Sequence, residues 1–192
     1  MPFDCRRIVP VLLVLALVIS LGASDATARN TDKSWELGAY AMVSRYSNST
    51  DFDTAPGFGV RGGYHLKAIH EFEAEFDVAT ADHAVLPNVE IDLTRYGASY
   101  LRTFPLKGHE KMLPFALFGL GFMTVDDGTD SESSAVYRAG GGFRYWFTPN
   151  VAFRFDARIW RWHGNGDVVV RDPFYSFDAT FGMSFMIGRT KK

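Results

Sequence analysis

The chain has 192 residues, a net charge of −2 from 20 basic and 22 acidic side chains, and a mean hydropathy of −0.05. These values exclude a polytopic helical membrane protein, which needs several apolar runs of about 20 residues, and give no footing for nucleic-acid binding, which asks for a basic excess or stripe. With 17 Phe, 8 Tyr and 4 Trp the chain is not disordered, and those aromatics set among 18 Gly are a composition of closed β-structures.

Residues 1–28 read as a cleaved signal peptide. Arg6 and Arg7 precede an apolar core, Val11 to Leu21, that is too short to span a bilayer, and Ala26-Thr27-Ala28 supplies a small-x-small cleavage site. Cys5, the only cysteine, lies before that core. The mature chain, residues 29–192 and a single domain, is therefore expected to hold no disulfide, although it is exported.

From Ser34 onward the hydrophobic pattern has period 2 and predicts eight strands. In the first, Trp35, Leu37, Ala39, Ala41 and Val43 alternate with Glu36, Gly38, Tyr40, Met42 and Ser44. The second sets Phe58, Val60, Gly62 and Tyr64 against Gly59, Arg61, Gly63 and His65. In the third, Phe72, Ala74, Phe76 and Val78 alternate with Glu71, Glu73, Glu75 and Asp77. A helix would scatter those four acids around its circumference, whereas a strand gathers them on one face.

The fourth run, Ile91 to Phe104, sets Tyr96, Ala98, Tyr100 and Phe104 against Arg95, Gly97 and Ser99. The fifth sets Ala116, Phe118, Leu120 and Phe122 against Leu117, Gly119, Gly121 and Met123. Both have low polar contrast, and the sequence leaves their facing open. The sixth alternates Tyr137, Ala139, Gly141, Phe143, Tyr145 and Phe147 with Arg138, Gly140, Gly142 and Arg144. The seventh alternates Phe153, Phe155, Ala157 and Ile159 with Arg154, Asp156 and Arg158, and the eighth Tyr175, Phe177, Ala179, Phe181, Met183, Phe185 and Ile187 with Ser176, Asp178, Thr180, Gly182 and Ser184.

The connections alternate too. Segments 47–56, 79–88, 126–133 and 164–173 are long and polar, segments 66–68 and 148–150 are tight, and 105–112 is intermediate. An up-and-down membrane barrel has this pattern, with short periplasmic turns and long outer loops. Eight strands then place both chain ends at the short-turn rim.

Two closed barrels fit the alternation. A soluble lipocalin-like barrel turns its aromatics inward, and an outer-membrane barrel turns them outward. The charges favour the second. The polar faces carry Glu36, Glu71, Glu73, Glu75, Asp77, Asp156 and Asp178 against Arg61, Arg95, Arg138, Arg144, Arg154 and Arg158, with His65 beside them. Every basic strand residue in that set is Arg, the side chain suited to buried two-point carboxylate pairing, while the Lys residues lie in connections and termini. These residues are expected to form an ion-pair network that fills the lumen. Trp35, Tyr64, Phe104, Tyr145, Phe147, Phe153 and Phe185 near one rim, and Tyr137, Tyr175 and Phe177 near the other, are expected to form aromatic girdles at the lipid boundary.

Several stretches carry a family likeness. Pro114-Phe115-Ala116-Leu117-Phe118-Gly119-Leu120-Gly121 resembles the P-Y-x-G-x-G-x-G strand of OmpA/OmpX-like outer-membrane β-barrel proteins. Ala139-Gly140-Gly141-Gly142-Phe143-Arg144-Tyr145 and the strand after Thr148-Pro149-Asn150 are similar to that family's sixth and seventh strands. Thr180, Gly182, Phe185 and Ile187 match its C-terminal assembly signal, except that Ile187 stands where the family ends on Phe. The resemblance spans residues 34–188. It implies an all-β, eight-stranded antiparallel transmembrane barrel in the outer membrane, monomeric and inserted by the assembly machinery. Its partners would be outer-membrane lipid and lipopolysaccharide. No stretch outside the barrel pattern suits a peptidoglycan-binding domain, so a wall-anchoring role is not expected.

The expected role is non-enzymatic: membrane integrity, or surface interaction with an extracellular ligand through the four long loops. The alternatives are a small gated channel or porin lined by the same charges, a soluble ligand-binding barrel and, more remotely, a lipid A-modifying enzyme. Trp162-His163-Gly164-Asn165-Gly166 resembles the His-x-Ser-Asn stretch of outer-membrane lipid A deacylases, but Asn165 stands where that family has its nucleophilic Ser. Ser176 is the only nearby strand hydroxyl, and Trp162 with His163 reads otherwise as a rim pair at headgroup level. His65, His70, His83, His109 and His163 show no metal-ligand spacing, the acidic run 126–132 lacks the EF-hand pattern, and no cofactor or metal site is expected.

Overall fold

The computed structural model describes residues 32–46, 54–82, 90–126, 128–163 and 173–187. The expected signal peptide lies outside them. Eight strands run β1 (Ser34–Tyr46), β2 (Ala55–Lys67), β3 (His70–Asp82), β4 (Glu90–Thr103), β5 (Met112–Asp126), β6 (Ser131–Trp146), β7 (Val151–His163) and β8 (Pro173–Ile187). Each pairs antiparallel with its sequence neighbour. β1 pairs with β8 from Trp35 opposite Ile187 to Tyr46 opposite Ser176, and the sheet closes into a barrel with no free edge.

The alternation of the sequence becomes the wall of the barrel. Phe58, Phe72, Phe118, Leu120, Tyr137, Ile159 and Phe177 face outward and are exposed, while the residues between them are buried in the lumen. The facing of β4 and β5, open in the sequence, is settled by the same parity: Tyr96, Tyr100, Phe118, Leu120 and Phe122 face out, and Arg95, Ser99, Leu117 and Met123 face in. Met183 keeps the outward register yet is only 8% exposed.

Three short connections share one rim. The β2–β3 turn is Ala68–Ile69, the β6–β7 turn is residues 147–150, and residues 104–111 join β4 to β5. In the β6–β7 turn the Thr148 hydroxyl accepts hydrogen bonds from the backbone N–H of Asn150 and Val151, at 3.3 and 3.0 Å. Neighbouring turns are tied together where Thr103 N–H donates to Ile69 O, Trp146 N–H to Lys111 O and Met186 N–H to Asn150 O. Ser34 and Ile187 lie at this same rim, because β1 starts and β8 ends there.

At the opposite rim the strands run further than the sequence pattern suggests. Residues 55–56 belong to β2, 79–82 to β3, 126 to β5, 131–133 to β6 and Pro173 to β8, so the long connections are shorter than expected. Ladder bonds to a neighbouring strand hold these polar segments extended where composition alone reads as loop. The remainder of the four long connections lies outside the described residues, apart from Thr54 and residues 128–130.

Candidate functional site: the ion-paired lumen

The lumen is where, among the described residues, the strands gather buried charged side chains. Glu36 comes from β1, Arg61 and His65 from β2, Glu71, Glu73, Glu75 and Asp77 from β3, and Arg95 from β4. Arg138 and Arg144 come from β6, Arg154, Asp156 and Arg158 from β7, and Asp178 from β8. None is more than 5% exposed. With Glu132 of β6, also buried, eight carboxylates face six guanidiniums and one imidazole.

Charges this deeply buried persist only when paired and hydrogen-bonded, and the geometry provides pairs in three connected groups. Nearest the turn rim, the Arg144 Nε–H donates to Glu36 at 3.0 Å, and the same guanidinium binds Glu71. His65 Nε2 lies 3.0 Å from Glu36 and 3.7 Å from Glu71. At mid-lumen Asp156 accepts from Arg61 at 2.7 Å, from Arg154 at 2.9 Å and from Arg158, with the Thr180 hydroxyl a fourth donor at 3.2 Å. Arg154 also holds Glu73, while Arg158 and Arg138 share Glu75. Towards the long-loop rim, Arg95 joins Asp77 at 2.6 Å to Asp178 at 2.8 Å, and the Tyr40 hydroxyl donates to Asp77 at 3.0 Å.

The sequence did not single out the side chains that complete these groups. Ser99 accepts from Arg138 at 2.6 Å, and Thr180 binds Asp156 in addition to its place in the C-terminal motif. Trp160 lies under Arg95 and Arg138, at 4.7 and 5.1 Å from ring centre to guanidinium carbon, and Phe115 lies similarly under Arg154 and Arg144. Inward register was the available signal for all four.

Two apolar layers bound the charged one. Towards the long-loop rim Met42, Ile91, Leu93, Met123, Val125, Val136, Trp160 and Trp162 pack into one buried cluster with Tyr40 and Tyr46. At the turn rim Leu113, Trp146, Ala152 and Met186 form another. This corrects the rim reading of Trp162. It is 1% exposed, faces the lumen and meets Tyr46 edge-on at 5.9 Å, because an even-numbered β7 residue shares the inward face with Arg154, Asp156 and Arg158. The side chain of His163 and residue Asn165 lie outside the described residues. Ser176, the alternative nucleophile, is buried in the lumen without a hydrogen-bond partner among the described residues.

The aromatics assigned to girdles lie on the outer wall. Trp35, Phe104, Tyr145, Phe147, Tyr175 and Phe185 are exposed, and Tyr64 and Phe153 half-buried. Trp35 packs on Tyr64 with ring centres 4.8 Å apart, and Tyr145 on Phe147 at 5.3 Å, both near the turn rim. In the C-terminal motif Phe185 and Ile187 face outward, and Thr180 is buried in the lumen.

A closed antiparallel barrel with an apolar, aromatic exterior and an ion-paired interior inverts the order of a soluble protein, and lipid is the solvent that accepts such a surface. The molecule is an integral outer-membrane β-barrel. The chain belongs to the outer membrane protein beta-barrel domain family, whose model matches residues 13–185.

Solved structures show the same fold. Neisserial surface protein A is 19% identical over 79% of this chain and 96% of its own, with a TM-score of 0.65. The outer membrane protein OprG of Pseudomonas aeruginosa is 11% identical over 86% and 100%, with a TM-score of 0.53. Ail, the attachment invasion locus protein of Yersinia pestis, solved with the heparin analogue sucrose octasulfate, is 16% identical over 82% and 100%, at 0.51. No curated protein sequence matches the chain.

Proposed function

We propose that this barrel is a closed, non-enzymatic scaffold that supports outer-membrane integrity and presents its four long connections to the exterior for surface interaction. The observation that carries this reading is the layering of the lumen. An ion crossing it would have to displace two apolar plugs and a charged layer whose carboxylates and guanidiniums already hold one another. An interior of this width is filled by side chains, and binding then falls to the loops, where rigid scaffolds usually place it.

The partners follow from the surface. The outward Phe and Tyr residues meet lipid chains, and the rim aromatics meet headgroups. Lipopolysaccharide phosphates would be bridged to acidic residues at the long-loop rim such as Asp126 and Asp130 by divalent cations. The acidic loops suit a cationic or metal-bridged ligand better than a polyanion of the kind bound to Ail. The closed sheet leaves no edge for strand pairing, which favours a monomer.

Planar-bilayer recording with the purified barrel, together with protease treatment of intact cells, tests the proposal. Silence in the bilayer and cleavage within 47–54, 83–89, 127–130 and 164–172 are expected. A steady conductance would overturn the closed scaffold, and loops resistant on intact cells but cut after the outer membrane is opened would overturn their outward placement.

A further inference from the structure

We propose that Glu36, His65 and Glu71 form a binding site for one divalent transition-metal ion of the zinc class, at the turn end of the lumen. The three side chains come from consecutive strands β1, β2 and β3, and each brings a ligand atom to within 4.8 Å of the others. Sequence spacing could not show this set, because only its third dimension unites it.

The spacing fits an ion of that size. Glu36 Oε2 and Glu71 Oε2 lie 3.0 and 3.7 Å from His65 Nε2. Two donors bound to a tetrahedral zinc ion at its usual bond lengths are separated by about 3.3–3.5 Å, between the two values seen. An imidazole among carboxylates selects zinc and its neighbours over calcium or magnesium, which take oxygen alone.

A second observation points to a ligand. Arg144 holds Glu36 through Oε1 and Glu71 through Oε2. Glu36 Oε2 is thereby left facing the imidazole, and Glu71 Oε1 is buried with no hydrogen-bond partner among the described residues. A buried carboxylate oxygen without a donor calls for an ion or a water. The backbone lets Glu71 reach this position: Gly63 faces inward opposite Glu36, and a Cβ at Gly63 would lie 2.0 Å from Glu71 Oε1. Arg144 would then serve as the outer partner that orients two ligating carboxylates. Charge agrees in sign, since the buried carboxylates of the lumen outnumber its guanidiniums.

The test uses the untagged full barrel in detergent micelles, titrated with Zn²⁺ by calorimetry and with Co²⁺ by visible absorption. One ion per barrel and the strong bands of four-coordinate Co²⁺ are expected. His65→Gln and the isosteric Glu71→Gln should each weaken binding by about tenfold or more, whereas His109→Gln, at an exposed turn residue, should leave it unchanged. Heat-modifiable gel migration verifies that each variant is folded. No uptake by the folded wild type would overturn the site. Binding that persists in folded His65→Gln would place the ion elsewhere and overturn it equally. Neither result bears on conductance or loop exposure.

Discussion

Arg154 and Glu73 stand on opposite walls of the barrel, on β7 and β3, and meet at the centre of the lumen through both terminal guanidinium nitrogens and both carboxylate oxygens. The strands are four apart whichever way the sheet is followed, so this two-point pair is a strut across the full diameter. Its ends differ. Among the described residues Glu73 has Arg154 as its salt-bridge partner, whereas Arg154 also binds Asp156 and lies 3.8 Å from Glu36. Breaking a buried pair from one side costs about 3–5 kcal/mol, chiefly through the charge left behind. Arg154→Met, which also strips a donor from Asp156 and removes the positive charge beside Glu36, should therefore destabilise the barrel more than Glu73→Gln. The double variant Arg154→Met/Glu73→Leu should cost less than the sum of the single changes. Urea unfolding from lipid vesicles reads all of these.

The two apolar layers act in series, which makes conductance a test of each. Trp146 is fully buried in the layer at the turn rim, and Trp160 in the one towards the long loops. Trp146→Ala and Trp160→Ala should each cost about 3–5 kcal/mol and still leave the bilayer silent, because the other layer remains closed. Small conductance steps are expected only from the double variant. Steps from either single variant would show that one layer alone blocks the lumen.

On the outer wall the cost of a charge should depend on depth. Phe118 is 59% exposed near the middle of β5, and Trp35 is 56% exposed at the start of β1 beside Tyr64. An arginine at the bilayer midplane costs about 2–4 kcal/mol and one near the interface about 0–1. Phe118→Arg should accordingly destabilise the barrel in vesicles much more than Trp35→Arg. Equal costs would place the membrane midplane away from Phe118.

These contrasts also mark what could be read from the sequence. Strand parity was open to inspection, since period 2 ties each Arg or Glu to its neighbours two residues away, and one strongly contrasted strand such as β3 orients the rest. Which charge meets which was not, because Arg154 and Glu73 are brought together by closure and strand stagger, which leave no local trace. The apolar layers were hidden for another reason. Ile91, Leu93, Val125 and Trp162 are hydrophobic and lie inside, and in a membrane barrel such side chains suit either face. The strand ends near Ala55, Ala81 and Ser133 were hidden by composition, since polar residues there read as loop.

The inward glycines make a prediction about coiling. Gly97 on β4 lies opposite Gly121 on β5, and a Cβ on Gly121 would stand 2.2 Å from the backbone oxygen of Tyr96. A backbone atom cannot swing aside as a long side chain can, so Gly121→Ala must push the two strands apart. A cost of about 1–3 kcal/mol is expected from overpacking. Gly62→Ala, whose nearest contact would be the Leu37 side chain at 3.5 Å, should be close to neutral in the same urea titration.

The C-terminal motif allows stability and assembly to be tested apart. Phe185 and Ile187 face outward on β8, where a binding partner could reach them before insertion, while Thr180 is already engaged by Asp156 inside. If Phe185 is read by the assembly machinery, its aromatic ring matters in the cell more than in the finished wall. Phe185→Leu keeps an apolar side chain in contact with lipid and should change stability in vesicles by less than about 1.5 kcal/mol. In cells the same variant should accumulate unfolded in the periplasm, as read by heat-modifiable migration of membrane fractions. Thr180→Val should do the reverse: it removes a donor to a buried carboxylate and lowers stability, with assembly reduced only as far as that loss requires. Normal assembly of Phe185→Leu would remove Phe185 from the signal and leave it as one more lipid-facing aromatic.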